Sequence, residues 1–113
     1  MALAIVSATA SPLFGDFLIL VSVTDANGAP VSSLKPAAFK VALLASLNHA
    51  SPQDRPVNEA KEGPSGFYTL ILAPNDVQPN LFKGHYVLAV AVSFKRKTTE
   101  YQGQTVAVGD MVL

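Results

Sequence analysis

A chain of 113 residues, with eight Lys and Arg against eight Asp and Glu and no formal net charge, has the length of one domain and should bury about two thirds of its unfolded surface. Only 14% of it is charged while half is hydrophobic, so it lacks the field that captures nucleic acid or an anionic membrane. It has no cysteine, which removes disulfides, thiolate metal sites and thiol nucleophiles together. The mean hydropathy of +0.33 implies a chain that either buries itself unusually well or has part of its surface covered by something else.

Short apolar runs rich in Ala, Val, Leu and Phe are separated by Gly, Pro, Asn, Asp and Ser, the sign of many short strands. The first run covers residues 2–9 and is expected to stop at Ser11-Pro12. It is too short, and lacks the basic flank, for a signal peptide. No run approaches the roughly 18 apolar residues of a membrane-spanning helix. The second run, "DFLILVSVTD", places Phe17, Ile19, Val21 and Val23 on one face. Asn27-Gly28 then turns the chain, since both residues tolerate positive φ. "SSLKPAAF" reads as a connector with one helical turn after Pro36. "FKVALLASL" is the third strand, with Phe39, Val41, Leu43 and Ala45 inward.

The polar stretch 48–56 reads as a loop. "VNEAKE" has the charged composition that discourages edge-to-edge aggregation. "GFYTLILAP" sets Tyr68, Leu70 and Leu72 on one face and Phe67, Thr69 and Ile71 on the other. A corner at "NDVQPNLFKG" leads into "FKGHYVLAVAVSF", residues 82–94. "KRKTT" makes a tight basic hairpin. "EYQGQTVAVG" is the last strand, with Val106 and Val108 expected inside. Both "GFYTLIL" and "GHYVLAV" carry Gly-x-Tyr-x-Leu, so each strand has a tyrosine at its mouth. Seven strands and no long amphipathic helix predict an all-β sandwich, with residues 1–113 as a single domain.

"NLFKGHYVLAV" resembles the tyrosine corner of immunoglobulin-like and fibronectin type III sandwiches, in which Leu, Gly and Tyr lead into the sixth strand. The matching positions here are Leu81, Gly84 and Tyr86, and the resemblance implies a tyrosine ring in the core with its hydroxyl bonded to backbone. "VTDANGAPVSSL" is similar to the second-strand turn of bacterial Ig-like and macroglobulin-like modules. The absence of a Cys pair and of tryptophan departs from antibody-type domains. The resemblance implies a seven-stranded immunoglobulin-like β-sandwich, and it tilts the expected location towards the cell surface or exterior. Such a superfold does not fix function.

The polar residues offer few sites. His49 and His85 are the only imidazoles, too few for a zinc or copper site unless they lie together, and both read as surface residues. Ser51, His49 and Asp54 could be drawn as a triad, but no strained nucleophile turn surrounds the serine. "YQGQ" at 101–104 departs at two of four positions from the Tyr-Arg-Gly-Ser signature of transthyretin-like hydrolases. Asp25, Asn27 and Asp110 carry oxygens of the kind that calcium takes, but it needs about six to eight; three scattered donors read as turn chemistry. Lys95 to Lys97 reads as a solvated basic turn. No catalytic, metal or cofactor residue is assigned, and the chain is read as not an enzyme.

The strongest clue lies on strand 82–94. Tyr86, Leu88, Val90, Val92 and Phe94 fall on one side, yet Val87, Ala89, Ala91 and Ser93 on the other are nearly as apolar, where a wet face should carry charge. In the immunoglobulin arrangement the third strand would add Ala42 and Leu44 to that outer face, and the seventh would add Tyr101, Thr105 and Ala107. The expected interface is therefore Ala42, Leu44, Val87, Ala89, Ala91, Tyr101 and Ala107. The expected function is a protein-interaction or structural module, self-associating or part of a larger assembly, with a protein or a second copy as partner and no nucleic acid. A carbohydrate-binding module is the alternative and needs an exposed aromatic, for which Tyr101 and Phe67 are the candidates. A small transthyretin-like hydrolase comes third.

Overall fold

The computed structural model of the chain describes residues 2–13, 16–46, 53–72 and 84–111. In chain order these form β1 (Ala2–Leu13), β2 (Asp16–Asp25), one 3-10 turn (Pro36–Ala38), β3 (Phe39–Ser46), β4 (Gln53–Arg55), β5 (Val57–Glu62), β6 (Phe67–Leu72), β7 (Gly84–Arg96) and β8 (Thr99–Met111). The fold is all-β. Its eight strands lie in the order β4-β3-β7-β8-β1-β2-β6-β5 and curl into a nearly closed, barrel-like shell. The eighth strand beyond the expected seven is β4, inside the stretch read as a loop. It pairs antiparallel with Val41, Ala42 and Leu43.

β1 is the seam. Its first residues, Ala2 and Leu3, pair parallel with Tyr101 and Gln102 of β8, and from Ala4 onward it pairs antiparallel with β2. β1 continues through Pro12, the expected stop, which stands opposite Phe17 in the ladder with β2.

The alternation read from β2, β3, β6 and β7 is the alternation of burial. Ile19, Val21 and Val23 on β2 and Tyr68, Leu70 and Leu72 on β6 meet Phe39, Val41 and Leu43 on β3 and Tyr86, Leu88, Val90 and Val92 on β7 in one core. The Phe39 and Tyr68 rings join the two halves, with centroids 5.2 Å apart and tilted by 57°. One expected core residue turns out. A bulge between Leu43 and Ala45 shifts the register, and because side chains alternate with period two, Ala45 is exposed beside Val87.

β8 inverts the expected parity. Val106 and Val108 are 54% and 70% exposed, whereas Ala107 is 3% exposed. Pairing with β7 sets Gly109 opposite Tyr86, Ala107 opposite Leu88, Thr105 opposite Val90 and Gly103 opposite Val92. The inner side of β8 thus meets large neighbours with small residues. A Cβ on Gly109 would strike the Tyr86 ring, and one on Gly103 would strike the Ala4 carbonyl oxygen. No space is left there for valine.

The connector between β2 and β3 is fastened by side chains from four strands. It begins with a turn in which the Asp25 carboxylate accepts the N–H groups of Asn27 at 2.9 Å and Ala29 at 3.0 Å, while Gly28 takes φ +86°, a conformation that needs no Cβ. Farther on, the buried Tyr68 hydroxyl donates to the Val31 carbonyl at 2.6 Å and accepts the Leu34 N–H at 3.2 Å. The Glu62 carboxylate accepts from Ser33 N–H at 2.9 Å and Gly66 N–H at 3.1 Å. Arg96 donates to the Ser32 carbonyl. The N–H groups of Ser33 and Gly66 hold the Glu62 carboxyl below the ordinary carboxylate range. Burial, above all, raises the Tyr68 phenol.

Two outcomes follow from this fastening. Tyr68→Phe leaves a buried backbone donor and acceptor without their partner and should destabilise the fold by about 1–3 kcal/mol, measured as a loss in urea midpoint. Because the folded carboxyl of Glu62 is depressed, its contribution is present above its unfolded pKa and is lost as pH falls through the folded value. Urea midpoints should therefore drop on acidification through the carboxylate range, and Glu62→Gln should reduce that drop.

Candidate functional site: the outer face of β3, β7 and β8

Cross-strand register builds the outer face row by row. Lys40, Ala91 and Gln104 form one row. Next come Asp54, Ala42, Ala89 and Val106. Beyond them lie Ala45, Val87 and Val108, with Leu44 at the bulge. In the opposite direction the face passes through Ser93 and Gln102 to Lys95 and Glu100 at the hairpin. The face is thus charged at the hairpin end and aliphatic across its middle, and the register continues past Val87 and Val108 to His85 opposite Asp110.

Five of the expected interface residues, Ala42, Leu44, Val87, Ala89 and Ala91, lie on this face and are half-buried by their neighbours. Two do not. Ala107 is on the inner side of β8, opposite Leu88. Tyr101 is half-buried against the core, its ring stacked on Phe94 at 5.0 Å and 5°, with the Arg96 guanidinium 5.6 Å from the Phe94 centroid. Thr105 goes inward with them. Val106 and Val108, expected inside, take their places and make the face more apolar than foreseen. A hollow of about 750 Å³ extends it towards β1, where Leu3 and Ile5 stand beside Lys40, Ala91, Gln102 and Gln104.

The free edges of the sheet have a different character. β4 turns Arg55 inward at 8% exposure, opposite Val41, and burial lowers its pKa. β5 exposes Asn58, Glu59 and Lys61, the last two paired at 3.6 Å, a surface contact worth little. Inward and outward charge at edges are both devices against strand addition.

Among the described residues the register brings two of the polar candidates together, His85 of β7 opposite Asp110 of β8. His49 and Ser51 lie outside the described residues, as does Leu81. Asp54 is exposed on β4, and His85 belongs to β7. The Asp25 carboxylate serves its own turn. Asp25 pairs with Ala4, which lies against Gly103, and Asp110 is seven residues farther along β8, roughly 23 Å at the rise of a strand. Among the described residues no three His, Cys, Asp or Glu are grouped to hold a metal ion. Nor is any helix among them long and apolar enough to cross a membrane. Gly84 opens β7 and Tyr86 is buried over Gly109. Tyr68 makes a hydroxyl-to-backbone tie of this kind, on Val31 and Leu34. Its signal was the shared Gly-x-Tyr-x-Leu pattern, which marks both strands equally. No family model, curated protein or solved structure matches this chain.

Proposed function

We propose that the chain is a non-catalytic, immunoglobulin-like sandwich module that self-associates by laying the outer face of β3, β7 and β8 against the same face of a second copy. The fold reading is supported by strand neighbours: β1-β2-β6-β5 on one side and β3-β7-β8 on the other correspond to the ABED and CFG sheets of that architecture, with β4 as an additional edge strand.

The observation that carries the functional reading is the uncharged aliphatic surface of Ala42, Ala89, Val106, Val87 and Val108, of which both β8 valines are more than half exposed. Contiguous apolar surface of this kind marks an interface more often than a solvated face. A second copy is the fitting occupant because the centre of the face has no charge of either sign, so apposing it with its own image brings no like charges together. Small side chains also let two sheets approach to the usual separation of about 10 Å.

Sedimentation velocity at micromolar concentration should show a dimer or larger species. Ala89→Lys and Val106→Glu, each at an exposed or half-exposed position, should convert it to a folded monomer with the circular dichroism of the wild type, its urea midpoint no longer dependent on protein concentration. A wild-type chain that sediments as a monomer across that range would overturn the reading.

A further inference from the structure

The opposite half of the shell turns out a face of different chemistry. Pairing among β1, β2 and β6 aligns Ser7, Ser22 and Phe67 in one outward row and Thr9, Leu20 and Thr69 in the next. Phe67 is 56% exposed and Leu20 52%. Together with the four hydroxyl residues they line a shallow hollow of about 420 Å³ with no charged side chain among its described lining residues, Lys61 standing outside that lining on β5, opposite Thr69.

These walls narrow the class of ligand. An ion would find no countercharge. A purely aliphatic chain would strip water from four hydroxyls without replacing their hydrogen bonds, which is unfavourable. A peptide strand would find no open backbone beneath, because β2 is paired on both sides by β1 and β6. What remains is a neutral molecule with one flat C–H face and a rim of groups that both donate and accept, as serine and threonine hydroxyls do. We propose that this hollow binds a neutral saccharide, with one sugar ring stacked on Phe67 and its hydroxyls bonded to Ser22 and Thr69, Ser7 and Thr9 completing the rim. The site lies on the sheet away from the self-association face and does not depend on it.

The test is an amide-resolved NMR titration of the full chain with maltotriose, cellotriose and triacetylchitotriose, in the wild type and in Ala89→Lys so that any association through the other face is separated. At least one sugar should shift the amides of Ser22, Phe67 and Thr69 in both proteins. Phe67→Ala should weaken that binding about tenfold or more, the loss of one stacked ring, while Phe67→Tyr should retain it. Thr69→Val, which keeps the shape and removes the hydroxyl, should weaken it as well. The proposal is overturned if none of the sugars moves those amides or if Phe67→Ala binds unchanged. Concentration-dependent broadening at Phe67 without sugar, and no sugar response, would assign the hollow to a second copy and overturn it equally.

Discussion

Space on the inner side of β8 is already taken, and much of the structure depends on that exclusion. The Tyr86 ring lies where a side chain at Gly109 would go, and the Ala4 carbonyl where one at Gly103 would go. Interiors are packed too densely to absorb an added group without displacement. From Gly103 to Gly109 the inward positions of β8 are therefore held by Gly, Thr and Ala, and the alternation of a strand sends Val106 and Val108 outward. The same contact lets β1 lie close enough to β8 to join the two halves of the sheet. One steric constraint thus both closes the shell and produces the aliphatic outer face.

At another point on the shell, closure is made by polar groups. The connector after β2 carries backbone groups that pair in no strand ladder, and buried backbone needs partners. Tyr68 answers two of them, with its ring against Phe39 of the opposite half. A single side chain thus links the core to the connector. Glu62 and Arg96 hold Ser33 and Ser32 from outside, where solvent reduces what each contact contributes. The buried tyrosine is the firm anchor, and the exposed pair adds a dependence on pH more than a large increment of stability.

Local pattern revealed the elements whose signal lies within them. β2, β3, β6 and β7 alternate strongly enough to disclose their buried side. Asn27-Gly28 and Pro36 mark their turns, and the hairpin closes on Lys97 and Thr98 as the short basic turn suggested. What escaped depends on a neighbour. β4 is three polar residues that become a strand only because Val41 to Leu43 offer a ladder. Ala45 points outward because a bulge precedes it. The parity of β8 misled because hydrophobicity favoured its valines for the core, while the deciding quantity was the volume of Tyr86 and the path of β1. The candidate face was accordingly legible on β3 and β7, where the core side is the bulkier one, and misassigned on β8, where it is the smaller.

The composition takes on a different meaning once the core is located. A hydropathy as high as +0.33 would suit a chain that hides its apolar residues completely, yet Leu3, Ile5, Leu20, Phe67, Val106 and Val108 all stand largely exposed. The surplus is outside, and it is divided. Towards β8 it is aliphatic with no hydroxyl among it, the chemistry of a surface that excludes water over an area. On β2 and β6 it is one aromatic and one leucine set among serine and threonine, the chemistry of a surface that exchanges hydrogen bonds with a small polar ligand. The core separates the two faces, and alternation of side chains lets each vary without disturbing it. If the proposed self-association holds, each assembly presents the second face more than once, so that the proposed weak contacts to a repeating saccharide would add through multivalency.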